Sequence, residues 1–80
     1  MINVREIKVS FLDWEARIIL ESVTNELERL KKIAETSNDE NIAADAGNDY
    51  LEVLGLKERL EDEMVSIFGE QIKNFSREEI

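Results

Sequence analysis

The sequence predicts a mainly α-helical protein, an antiparallel two-helix hairpin with a short N-terminal β-strand, and three observations predict it. Apolar residues recur at steps of three and four through two long stretches, one short polar break separates these stretches, and the chain has no proline. A single domain of 80 residues is expected.

In "REIKVSF", Arg5 to Phe11, the residues Ile7, Val9 and Phe11 alternate with Lys8 and Ser10, which is the period of a half-buried strand over about residues 5–11. One short strand does not stand alone. The chain offers it "QIKNF", Gln71 to Phe75, since both ends of the chain emerge at the same end of a hairpin.

From Asp13 the period changes. Leu12, Ala16, Ile19, Leu20, Val23, Leu27, Leu30 and Ala34 step by three and four and form a stripe about one third of a helix wide, with Trp14 and Ile18 beside it. The predicted helix covers about residues 13–36. Asp13 and Glu15 suit its positive end and Lys31 and Lys32 its negative end, while Asp13–Arg17 and Glu28–Lys32 have the spacing of supporting ion pairs.

"TSNDEN", Thr36 to Asn41, is the loop, and Ser37 with Glu40 has capping-box spacing for a second helix over about residues 40–68. Its stripe is Ile42, Ala46, Tyr50, Val53, Leu60, Met64 and Ile67, with Phe68 on the margin. So short a connection makes the two helices antiparallel neighbours. Gly69 is the expected C-cap, and residues 69–80 form a weakly patterned tail.

Gly47 and Gly55 interrupt the second stretch, "IAADAGNDYLEVLGL", where each costs about 1 kcal/mol relative to alanine in a helix. Three readings stand. With Ala43 and Ala46 nearby, the glycines make a nearly bare patch that a backbone or a bulky side chain such as Trp14 or Tyr50 approaches, inside the hairpin or across a dimer interface. Alternatively Gly55 breaks the segment into two helices, or both glycines are tolerated defects.

Nineteen acids and ten bases give a net charge of −9, which argues against direct binding to nucleic acid or to an anionic membrane. Residues 1–34 balance at six of each sign, whereas residues 35–63 hold ten acids and only Lys57 and Arg59, a net of −8. Two groups stand out there: Asp45, Asp49 and Glu52, then Glu58, Glu61 and Asp62. The plain reading is a solvated acidic face. The sharper one is a face for a basic protein partner, because carboxylates one or two helical turns apart sit about 6 to 10 Å from each other, near the spacing of phosphates along a nucleic-acid strand.

The chain has no histidine and no cysteine, which removes a Ser-His-Asp triad, a thiol nucleophile, a di-iron carboxylate–histidine site and typical zinc chemistry. Magnesium held by carboxylates is what remains. Glu58 and Glu61 match the Glu-x-x-Glu spacing used by helical nucleotide pyrophosphohydrolases, but no later Glu-x-x-Asp follows. No cofactor, metal or catalytic activity is expected. No apolar run reaches the roughly 18 residues of a membrane span and no signal-peptide core is present, so a cytoplasmic protein is expected.

A chain this size buries only about 60% of the surface it exposes unfolded. Trp14 is read chiefly as cover for the end of that thin core, with a partner-binding anchor as the alternative, and Phe68, Ile72 and Phe75 add apolar surface at the same end. The surplus points to a homodimer in which two hairpins make a four-helix arrangement, its packing or dimer surface drawn from Trp14, Ile18, Ala43, Gly47, Tyr50, Gly55 and Phe68. The function expected is a small acidic protein–protein interaction module, or alternatively an acidic inhibitor that mimics nucleic acid toward a DNA- or RNA-binding protein.

Overall fold

The computed structural model describes residues 5–74. Helix α1 spans Asp13–Thr36 and helix α2 spans Glu40–Phe68; a 3₁₀ turn, Glu70–Lys73, follows. The two helices pack against each other as a hairpin, and the 3₁₀ turn touches both. No described helix is long and apolar enough to cross a membrane.

Each helix end is satisfied locally. Leucine has no side-chain acceptor, so at the start of α1 only the reciprocal half of a capping box forms: the Leu12 N–H donates to Glu15 Oε1 at 2.8 Å. The Ser37 N–H closes the other end on the Ile33 carbonyl at 2.9 Å. The cap of α2 is Asp39, not Ser37, because Asp39 Oδ1 accepts from the Asn41 and Ile42 N–H groups at 2.9 and 3.2 Å. Ser37 is occupied one step earlier, its hydroxyl accepting from the Asp39 N–H at 3.2 Å. Gly69 ends α2 at φ 92°, in the region open mainly to glycine, and donates to the Val65 carbonyl. Neither lysine of the expected pair reaches the last turn of α1. An ion pair does form on α1 between Arg29 and Glu26 at 2.7 Å, three residues apart rather than four.

The core lies at the open end of the hairpin. Ala16, Leu20, Met64 and Ile72 are buried together, with Leu60, Val65 and Phe68 packed on them, and Leu20 retains only 1% of its exposure. Leu27, Leu30 and Ala46 continue the buried seam toward the loop. Ile72 explains the fate of the expected C-terminal strand. The 3₁₀ turn carries Ile72 back onto Ala16 and Leu20, and a turn that delivers a side chain to the core presents no extended edge. Phe75, the last residue of that expected strand, lies outside the described residues.

The N-terminal strand is corrected for the same reason. Residues 5–12 carry no secondary structure, and among the described residues there is no strand for them to join. Ile7 remains 83% exposed.

Helix α2 is continuous through both glycines, so the reading of a break at Gly55 falls. Close packing against the glycines within the hairpin falls too: a Cβ built on Gly47 or Gly55 has no atom within 4 Å apart from the local helix backbone. Gly55 is nine residues from buried Ala46, about 180° round the helix, on the side away from α1.

Candidate interaction surface

The acidic residues do not form one face. Asp45, Asp49 and Glu52 are exposed and lie within about 60° of each other on α2. Glu58 and Asp62, also exposed, project about 120° away from that row. Glu61 is taken out of the exposed set, because it is half-buried and ion-paired to Lys57 across one turn of α2. This pair borders a small cleft with Leu20, Thr24 and Lys73. Lys73 is hydrogen-bonded to Glu70, 3.0 Å away, and that bond first, then the charge of Glu70 and more weakly those of Glu61 and Asp62, hold its ammonium above the ordinary lysine range. The second acidic group is thus partly neutralised by bases folded beside it. Among the described residues no three acids converge closely enough to hold a metal ion, and no polar or charged side chain is buried.

The residues expected at a packing or dimer surface fall on three separate sides. Phe68 packs on the core, and Ala43 and Tyr50 are half-buried. Trp14 and Ile18 adjoin each other on the outer side of α1, about 160° round from buried Ala16, and are 54% and 48% exposed. Trp14 therefore does not cover the core. Its place at the open end is taken by Ile72. Gly47 and Gly55 flank exposed Leu51 on the outer side of α2.

One surface went unanticipated. The N-terminal arm and the last turns of α2 border an open groove of about 740 Å³, lined by Ile7 to Phe11 on one wall and by Leu60, Met64 and Ile67 on the other. Ile67 is 74% exposed although its spacing puts it on the α2 stripe. The available signal was the alternation at Ile7, Val9 and Phe11, which singles out this segment and says nothing of where its partner lies.

Against known proteins, the chain matches no family model, no curated protein and no solved structure.

Proposed function

We propose that the protein is a small non-catalytic interaction module that works as a homodimer, two hairpins contributing four helices. The observation that carries this reading is the apolar surface a single copy leaves in water: Ile7, Val9, Leu12, Trp14, Ile42, Leu51 and Ile67 are each more than half exposed. Isolated exposed apolar residues are ordinary, but contiguous ones such as those at the arm groove mark association sites. Sedimentation equilibrium at tens of micromolar tests it: a mass of twice 9.3 kDa is expected, and a species of 9.3 kDa at every concentration refutes it.

A second reading is favoured by Asp45, Asp49 and Glu52, which share one exposed side of α2 and form no ion pair among the described residues. In this reading that row engages a basic, nucleic-acid-binding protein. Affinity capture from the native host should then recover a partner released by salt and displaced by DNA, and D45N/D49N/E52Q should abolish that capture while leaving the helical circular dichroism unchanged.

A further inference from the structure

We infer that the N-terminal arm, Arg5 to Phe11, pairs with the same arm of a second copy, the two running antiparallel about a two-fold axis at Val9. The inference rests on the dimer reading above and names its contact.

Five consecutive residues, Ile7 to Phe11, line the groove beside α2. The apolar Ile7, Val9 and Phe11 and the polar Lys8 and Ser10 border this space alike, so the peptide that joins them borders it too. No hydrogen bond joins the backbone of Ile7 to Phe11 to any other described residue. An unpaired edge of this kind is a template for another strand. A strand seated there would reach the arm's amides and carbonyls on one side and meet Leu60, Met64 and Ile67 on the other.

A second copy fits because the arm is complementary to itself in one register. With the axis at Val9, Ile7 faces Phe11 of the second copy, Val9 faces Val9, and Phe11 faces Ile7, three apolar pairs on one face with Lys8 opposite Ser10 on the other. Moving the axis to Lys8 sets two ammonium groups directly against each other, and moving it to Ile7 puts Val9 opposite Arg5. The charges of the groove agree: the arm bears Arg5 and Lys8 against Glu6, and the α2 wall presents Glu63. The two α1 helices would start about 27 Å apart, eight residues at about 3.4 Å each, so the hairpins flank the ribbon without collision. The contact is isologous and closes on itself, which uses up the exposed edge rather than propagating it.

The test uses the full chain, which has no cysteine of its own. Residues facing each other across an antiparallel pair lie about 4.5–5.5 Å apart, within disulfide range. V9C should therefore oxidise rapidly to a covalent dimer. I7C should not, since the two Ile7 positions are separated by four residues, about 14 Å, in this register. Ile7 is the more exposed of the two, so random collision would favour I7C and reverse the order. Val9 and Ser10 direct their N–H groups to opposite edges of an extended arm, so one of V9P and S10P should weaken the dimer at least tenfold in sedimentation without loss of helical circular dichroism, because proline removes an N–H that the paired strand needs. A dimer unaffected by both, or I7C crosslinking as fast as V9C, overturns the arm pairing while leaving the dimer reading intact, with Trp14 and Ile18 as its contact. A wild-type mass of 9.3 kDa defeats both and leaves the groove to a different chain.

Discussion

Replacing Gly47 and Gly55 by alanine should stabilise the protein, and the size of the effect follows from what surrounds them. Both glycines lie inside α2, well away from its ends, and neither has a positive φ. A methyl group at either position meets open space. The substitution then removes backbone freedom from the unfolded chain and adds no clash, which is worth about 0.8–1 kcal/mol for each glycine. At about 2.1 cal/mol/K of unfolding entropy per residue, a chain of 80 residues has about 0.17 kcal/mol/K, so each change raises Tm by about 5–6 °C. Eight residues along a helix separate the two sites by about 12 Å, far enough for the gains to add, to about 11 °C in G47A/G55A. Thermal and urea unfolding followed by far-ultraviolet circular dichroism measure this, repeated over a concentration series because the proposed dimer would make Tm depend on concentration. A fall in Tm for either variant, or a weaker dimer, would refute the reasoning: it would mean that a second copy's backbone approaches α2 at the glycines, and the dimer contact would move there from the arm.

Two further outcomes follow from the core and from the surface charges. L20A removes the most deeply buried large side chain, at the centre of the Ala16–Met64–Ile72 cluster, and should cost about 2–4 kcal/mol, about 12–24 °C in Tm, whereas L51A on the outer side of α2 should stay within about 0.5 kcal/mol; equal costs for the two would contradict the packing. The hydrogen bond from Arg29, then its charge, holds the Glu26 carboxyl below the ordinary glutamate range, so whatever stability the pair contributes is present above the ordinary glutamate pKa and is lost as pH falls through the lowered one. Carbon-detected NMR titration should show the Glu26 midpoint rising toward the ordinary value in R29Q, and an unchanged midpoint would remove the pair as its cause.

The two helices and the turn between them are legible because each depends on neighbours in sequence. The stripe Ala16–Leu20–Leu27–Leu30, the helix-ending Gly69 and the polar break before Glu40 report local conformation, and local conformation is what spacing encodes. The strands were not legible in the same way. Alternation at Ile7, Val9 and Phe11 specifies an extended chain, but a strand is a relation between two segments, and the segment expected as the partner curls into a turn because Ile72 gains more by entering the core. The acidic run shows the other side of the difficulty. Spacing placed Asp45, Asp49 and Glu52 together, and it also sets Glu61 apart from Glu58 and Asp62, because Lys57 stands four residues before it, a base that a grouping of the acids alone passes over.

What periodicity leaves out is the number of neighbours a helix will have. A helix packed against a single partner buries one narrow seam, and the curvature of both cylinders turns the flanks of a wider stripe toward solvent. Ile42 and Ile67 are such flanks: they belong to the α2 stripe in the sequence and stay largely exposed in the folded chain, while Trp14 and Ile18 stand on the opposite side of α1. A stripe wider than one neighbour can cover is therefore information about a neighbour that a lone hairpin does not supply. The unpaired arm edge beside Ile67 makes the same demand in backbone terms, since apolar side chains and peptide groups there are left in one open groove. A second copy's arm, seated as proposed above, would satisfy both at once, because Ile7, Val9 and Phe11 alternate in register with the same residues of the first copy.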